Sequence, residues 1–392
     1  MRIVQTVFGV FHHFELAREL ARRGHLEKIY SSWPWRRVRR EGLPRPLVAT
    51  FPWLHVPELI ATRAPVDLPW LTDELGYANA LAFDRWTEAR VGSLLRRGVA
   101  LDALIGISGS SLRTGALVQR AGGIFICDRG STHQLYQERI VAEEYTRWGV
   151  QSRPSDERDT LRELAIYAQA DAITVPSSVA ARSFVQMGVP AEKLHVIPYG
   201  VQLDRFRPSV QPPDDEFSVL FAGAVGLRKG VPYLLEAFAR LRHPRKRLRI
   251  AGALQADLRD VLRKLPREHV EFLGPLPQDR LAELMSRSHV LVLPSIEEGL
   301  ALVQAQAMAC GCPVIGSINS GAEDLFTDGV EGFIVPIRDA DIIAARLQRL
   351  ADDPALHARM RSASLDRVRS IGGWTEYGAR WESLLLQLTS RG

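Results

Sequence analysis

Short apolar runs alternate with amphipathic segments along most of this 392-residue chain, and one proline-rich stretch, FRPSVQPPDD (Phe206 to Asp215), interrupts them near the middle. A strand–helix rhythm of that kind is satisfied by a parallel sheet covered by helices on its faces. In the first half, strands are expected at Arg2 to Phe8, Lys28 to Ser31, Ala103 to Ile107, Gly123 to Cys127, Ala172 to Val175 and Lys193 to Pro198. Helices are expected there at Phe14 to Arg23, Ser111 to Arg120 and Leu161 to Gln169. After the proline-rich stretch the rhythm restarts, with strands at Ser218 to Phe221, Leu248 to Ala251 and Val290 to Leu293. Helices at Tyr233 to Leu241, Asp257 to Leu265 and Arg280 to Ser286 accompany them, and Thr375 to Leu388 closes the chain with Trp374, Tyr377 and Trp381 spaced for one face. The length allows two cores. Two α/β units joined by a proline-rich hinge imply a cleft between the facing ends of two sheets, where ligands are commonly held. Pro34 to Thr72 mixes Arg, Pro and Trp without a period and is left unassigned.

Hydrophobic residues make up 46% of the chain and charged residues 24%, as in an ordinary soluble protein. The net charge of +5 suits an anionic ligand or membrane surface. Three cysteines, Cys127, Cys310 and Cys312, cannot build a disulfide framework and suit a reducing compartment. Cys310 and Cys312 have no histidine nearby, which favours packing over metal binding. The N-terminus lacks a basic leader with a long apolar core, and no apolar run reaches the roughly 18 residues of a membrane span. A cytoplasmic location is expected, with contact at the inner face of the cell membrane. The run WPWRRVRREGLPRP (Trp33 to Pro46) interleaves Arg36, Arg37, Arg39 and Arg40 with Trp33 and Trp35, a composition suited to an anionic membrane interface or to a solvated surface. No nucleic-acid recognition motif accompanies it.

The stretch LVLPSIEEGLALVQAQAMACGCPVI (Leu291 to Ile315) carries the strongest chemical signal. A strand leads through an acidic turn ending in Glu298-Gly299 into a small-residue helix. That order sets a carboxylate and free backbone N–H groups beyond the carboxyl end of a strand, where anionic ligands bind in open α/β sheets. FAGAVGLRKG (Phe221 to Gly230) offers Gly223, Gly226 and Gly230 for tight turns, with Arg228 and Lys229 at a helix start. Cations there oppose the helix dipole and make sense with a phosphate present; a solvated basic turn is the alternative. It is neither a P-loop nor a dinucleotide fingerprint, which disfavours a nucleotide-hydrolysing motor and a nicotinamide enzyme. Glu323 in NSGAEDL supplies a second acidic turn expected at the same sheet edge. Gln306 lies two helical turns beyond Glu298 and offers both donor and acceptor atoms to ribose hydroxyls. In the first half, CDRGSTH (Cys127 to His133) gathers Asp128, Arg129, Ser131, Thr132 and His133 after a strand, and His12 and His13 follow the first strand. Either group can face the cleft or form an ordinary turn. Ser111 is expected to cap the helix it precedes.

Taken together, these segments resemble retaining glycosyltransferase family 4, of the GT-B fold, over nearly the whole chain. The resemblance rests on VIPYGVQLDRFRP, FAGAVGLRKGVPYLLEAF, PSIEEGLALVQAQAMACGCPVI and SGAEDLFTDGVEGFIVP, in that order. It implies an acceptor-side Rossmann-like domain over residues 1–207, a nucleotide-sugar-binding Rossmann-like domain over 208–371, and a last helix over 372–392 that crosses back to the first domain. By position it implies that Lys229 neutralises the diphosphate leaving group. Arg228 would take over for the family's usual Arg, which is Ala224 here. Glu298 would bind the transferred sugar, with the N–H groups of Gly299, Leu300, Ala301 and Leu302 near sugar and phosphate. Gln306 stands in place of the usual ribose-binding Glu, and Gly9 matches the glycine-rich loop of the first domain with its second glycine missing. Gly223 belongs to the phosphate-binding turn, Glu323 to the continuing match, and His133 or Asp128 would be the polar group near the reacting carbon.

The implied reaction moves a hexose from a nucleotide-diphosphate sugar to a hydroxyl of a glycan or lipid-linked acceptor. It proceeds with retention and without a metal or other cofactor, in bacterial surface polysaccharide synthesis. No nucleic acid is an expected partner. A sugar-nucleotide epimerase of the same fold and a non-catalytic nucleotide-sugar binder are the alternatives.

Overall fold

The computed structural model describes residues 1–10, 12–62 and 68–390. Its first sheet holds seven strands: β1 (Ile3–Val7), β2 (Leu26–Ser31), β3 (Val48–Thr50), β4 (Ala103–Ile107), β5 (Ile124–Asp128), β6 (Ala172–Val175) and β7 (Leu194–Val196). They are ordered β3-β2-β1-β4-β5-β6-β7. The second sheet holds β8 (Phe217–Ala222), β9 (Lys246–Ala251), β10 (Val270–Gly274), β11 (Val290–Leu293), β12 (Val314–Ser317) and β13 (Gly332–Val335), ordered β10-β9-β8-β11-β12-β13. Every pairing is parallel. The central strands are apolar on both faces because helices cover both, so β1, β8 and β11 are buried throughout. The strand order reverses between β1 and β4 and between β8 and β11. Loops leaving neighbouring strands there turn to opposite faces and open a crevice.

The proline-rich stretch forms the connection between β7 and β8 and contains no strand or helix. The last helix, Trp374–Thr389, returns to the first unit and buries Tyr377, Trp381, Leu384 and Leu385. It packs on the first helix, His12–Arg22, where Glu382 receives Arg23 at 2.9 Å and His25 at 2.7 Å. A Cβ at Gly378 would collide with Glu19, so glycine sets how closely these two helices approach. Next to this crossing Val201 N–H donates to the Gly372 carbonyl, and a Cβ on Gly200 would collide with Gly373.

Several local expectations change. Asp257 to Leu265 is a 3-10 turn (Ala256–Leu258) and a four-residue helix (Arg259–Leu262), not one helix. Ser111 makes no side-chain cap; its hydroxyl is held by Thr6 and Ser110, and Asp84 takes over the capping by accepting from Arg113 N at 2.9 Å and Thr114 N at 3.0 Å. Between Pro34 and Thr72 lie the short helices Trp35–Val38 and His55–Thr62, two 3-10 turns, β3 and the start of the helix Pro69–Arg96; residues 63–67 of that stretch lie outside the described residues.

Candidate functional site

The loops after β8 and β11 are locked together at the switch point. Gly230 has φ 67°, and a Cβ there would collide with the Pro294 carbonyl, so only glycine lets the two loops touch. Ile296 N–H donates to the Arg228 carbonyl at 2.9 Å, which aligns the basic turn with the acidic one. The result is an ion pair between Lys229 and Glu298, with Arg228 Nη1 3.7 Å from the same carboxylate oxygen. Burial pushes the Lys229 ammonium down to about 7, helped by neighbouring Arg228 and opposed by Glu297. Gly223 (φ 146°) abuts Gly252 (φ 152°), where a Cβ would collide with the Gly223 carbonyl.

Glu297, adjacent in sequence to Glu298, has a different job. It is fully buried and reaches across to the first unit, accepting from Ser131 Oγ at 2.8 Å, Thr132 Oγ1 at 2.7 Å and Gln137 Nε2 at 3.1 Å. Arg228 Nη1 completes its shell at 3.0 Å. Burial works against its ionisation, but Arg228 and the two hydroxyls outweigh it and hold the carboxyl below its usual range. Gly299 is pressed against Gly130 and Ser131, where a Cβ would collide, and its carbonyl accepts from Ser177 Oγ.

The helix Leu302–Ala309 begins without a side-chain cap, so its first N–H groups are available to a ligand. Leu300 and Ala301 are buried, and Ala301 N–H is taken by the Ser320 carbonyl at 3.2 Å, which removes that amide from the expected set. Leu302 and Gln306 line a cavity of about 610 Å³ between the two units. From the first unit, Val10, His12, Glu15, Arg129, Ser131 and Gln137 face them. Gly9 is buried in the loop that carries Val10. Arg228 and Lys229 line a second cavity of about 660 Å³ with Ala224, Tyr145, Arg153 and Asp257.

Two expected residues lie elsewhere. His133 caps the helix Gln134–Arg147 through Nδ1, and its ring packs against Tyr167 and Phe184 in the first unit's core. Burial, with Arg129 adding to it, lowers its imidazole to about 4, as expected of a neutral core histidine. Glu323 pairs with Arg182 on the surface; its neighbour Asp324 bridges the units instead, accepting from Ser178 N at 2.8 Å and Oγ at 2.6 Å. Asp128 is near the cleft but behind His12, whose Nε2 is 2.9 Å from Asp128 Oδ2. His12, His13 and Asp128 place one polar atom each within 4.8 Å of one another, the only such group among the described residues. Asp128 Oδ1 already accepts from Thr174 at 2.8 Å, and the group reads as a hydrogen-bonded set.

Sequence reasoning missed the helix Gln134–Arg147, which leaves the first unit to pack on the core of the second. Ile140 is buried in that core, with Tyr136, Val141, Tyr145 and Trp148 against it. Glu144, fully buried, accepts from Tyr233 OH at 2.8 Å, Trp148 Nε1 at 2.9 Å and Arg338 Nε at 2.6 Å. The apolar spacing of Tyr136, Ile140, Val141 and Tyr145 was the available signal.

Comparison with known proteins gives consistent matches. The model of Glycosyltransferase Family 4 matches residues 10–205, and that of Glycosyl transferases group 1 matches residues 203–367. The chain is 30% identical to D-inositol 3-phosphate glycosyltransferase 1 of Catenulispora acidiphila, over 67% of each chain. It is 29% identical to D-inositol 3-phosphate glycosyltransferase of Xylanimonas cellulosilytica, over 61% of this chain and 62% of that one. Across such curated relatives the chain spans about half to two thirds of their length. Among solved structures, sucrose-phosphate synthase from Thermosynechococcus elongatus superposes with a TM-score of 0.74 at 20% identity, covering 100% of both chains. Anabaena HepE, solved in complex with UDP, superposes with a TM-score of 0.68 at 16% identity, over 99% of this chain and 100% of that one. These two likenesses speak to the fold.

Proposed function

The chain belongs to glycosyltransferase family 4, and on that premise we propose that it moves a hexose from a nucleotide-diphosphate sugar to a hydroxyl of a glycan or lipid-linked acceptor, with retention and without a metal. The observation that carries this reading is the Lys229–Glu298 pair at the junction of the β8 and β11 loops, beside an uncapped helix start. A diphosphate entering there meets Lys229, Arg228 and free N–H groups, and releases Glu298 to accept sugar hydroxyls. Charge building on the departing phosphate is then stabilised by groups already in place. The phosphate oxygen that leaves takes the proton of the attacking hydroxyl on the same face of the sugar, so catalysis rests on positioning. Gln306 is assigned to the ribose and nucleotide end of the donor.

Uridine is the first base to try, since HepE was solved with UDP and with UDP-glucose. A polyol phosphate belongs among the trial acceptors because the relatives' names specify inositol 3-phosphate. A role in bacterial surface polysaccharide synthesis, at the inner face of the cell membrane, fits a basic first unit with exposed Trp53, Ile60 and Trp70. The test is a thermal-shift screen of sugar nucleotides followed by transfer assays. At least one donor is expected to raise the melting temperature, and Glu298→Ala and Lys229→Ala are each expected to cut transfer by about 100-fold or more with the fold intact. Normal turnover in either variant would place the reaction elsewhere, and donor conversion with no acceptor present would indicate an epimerase.

A further inference from the structure

The loop after β1 ends in two histidines for which the donor site described above has no use. His12 opens the first helix and lines the cavity between the units, while its Nε2 lies 2.9 Å from Asp128 Oδ2 at the end of β5. Asp128 is fixed from the other side, where Oδ1 accepts the Thr174 hydroxyl at 2.8 Å. His13 is wholly buried, with Nε2 3.0 Å from the same Oδ2. The His12 ring is flanked by Tyr199, with centroids 4.5 Å apart, and by His13 at 4.1 Å. A Cβ added at Gly130 would come 3.5 Å from His12 Cε1, so the loop after β5 also packs against the ring edge.

A carboxylate only accepts hydrogen bonds, so neutral His12 must carry its proton on Nε2 to meet Asp128. That choice leaves Nδ1 as the ring's acceptor, in a ring whose plane is fixed on three sides. The cavity wall opposite is the second unit's, formed by Leu302 and Gln306. A hydroxyl-bearing molecule bound in this cavity therefore has a ring held in one orientation, with an acceptor nitrogen, among the residues that line it.

We infer that His12 is the residue that receives the acceptor's reactive hydroxyl, taking its O–H on Nδ1, and that Asp128 is the positioning residue that sets the tautomer and ring plane. The inference rests on the transferase reading above. In the bound complex the hydroxyl proton rests against Nδ1. As the hydroxyl oxygen forms the new bond to the anomeric carbon and the bond from that carbon to the phosphate oxygen breaks, that proton swings from the Nδ1 contact to the departing phosphate oxygen. His12 ends the step unchanged. Its contribution is to orient the oxygen, which is worth most when the reacting atoms are held near contact distance.

The experiment compares His12→Phe, His12→Asn and Asp128→Asn with the unaltered chain, using the donor and acceptor from the screen. Asn places its side-chain oxygen where Nδ1 stands, so it keeps the acceptor atom; Phe removes it. Asp128→Asn offers its amide to Nε2 and drives the proton to Nδ1, turning the acceptor into a donor. His12→Phe and Asp128→Asn are expected to lower kcat by about 100-fold and to raise the KM for the acceptor, with donor affinity by titration within about threefold. His12→Asn is expected to recover about tenfold or more of the loss. Should His12→Phe not fold, the opposed results of His12→Asn and Asp128→Asn decide alone. The idea is overturned if folded His12→Phe keeps kcat and acceptor KM, or if Asn is as poor as Phe. It is also overturned if dialysis against EDTA abolishes wild-type transfer, zinc or magnesium restores it, and His12→Phe and Asp128→Asn both lose binding of that metal by titration, because the pair would then hold a cation in place of the hydrogen bond. A wild-type chain that binds no sugar nucleotide would instead sink the donor reading.

Discussion

At the scale of single residues the site turns on which charges are present before a ligand arrives. Lys229 sits at about 7, against roughly 10.4 for a free lysine, because burial disfavours its ammonium form. Below pH 7 the cation waits in the empty site. Above it, the site must take up a proton to meet a diphosphate, and that uptake weakens binding. Donor affinity is therefore expected to be flat near pH 6 and to fall by up to about tenfold per unit above pH 7. Calorimetry at pH 8 in two buffers of different ionisation enthalpy should show a proton taken up on binding. Constant affinity from pH 6 to 8.5 would mean that the pairing with Glu298 keeps Lys229 charged throughout. Much of this chemistry was legible in the sequence: FAGAVGLRKG and IEEG each supply their charges at a strand end, and they meet. What was not legible is direction. Glu297 and Glu298 are consecutive, and no periodicity tells which one faces the cleft and which one binds Ser131 and Thr132 of the other unit. The position of His133 is hidden for a related reason: a polar cluster such as DRGSTH reads the same whether its last ring turns to the cleft or, as here, packs against Phe184.

Among the elements, the central strands and the helices flanking them were readable because burial on one or both faces imposes a period. Pro34 to Thr72 was not, since 3-10 turns and a three-residue edge strand are too short to show one. The helix Gln134–Arg147 shows a second limit: its apolar stripe is visible in the sequence, but the surface that covers the stripe belongs to the other unit. Glu144 holds that docking together by accepting from Tyr233, Trp148 and Arg338 while fully buried. Removing one partner of a buried charge pair leaves the other uncompensated, at a cost of about 3–5 kcal/mol. Glu144→Ala is expected to destabilise the protein by roughly the lower end of that range, because Arg338 retains some access to water and to Glu143. Urea unfolding gives the magnitude, and the double variant with Arg338→Ala should cost clearly less than the sum of the two single changes. Additive losses would show that the carboxylate and guanidinium are not coupled, leaving the apolar stripe to hold the helix in place.

For the whole molecule, the two units are joined by more than their linker. Glu297, Asp324, Glu144 and the returning last helix each tie one to the other, so the relative placement of the units is set by many contacts. The first unit's surface has a distinctive make-up. Trp53, Ile60 and Trp70 are 74%, 67% and 65% exposed, while Arg36, Arg39 and Arg40 in the neighbouring basic run are also exposed. The two groups adjoin, because Trp33 of the basic run packs on His55, with ring centroids 5.1 Å apart. No described helix is long and apolar enough to cross a membrane. Aromatic side chains beside arginines suit the headgroup region, where each basic residue contributes about 1 kcal/mol against an anionic surface and Trp rings insert at the boundary. The protein is expected to float with vesicles containing phosphatidylserine and not with neutral ones, and to be released by salt in the range where the Debye length falls below about 8 Å. Trp53→Ala combined with Trp70→Ala should reduce flotation several-fold while leaving transfer to a soluble acceptor unchanged, since neither residue lines the cleft. If the double variant floats as well as the wild type, the aromatic patch has no part in membrane contact; if neither protein floats, acceptors must be sought among soluble glycans and polyol phosphates.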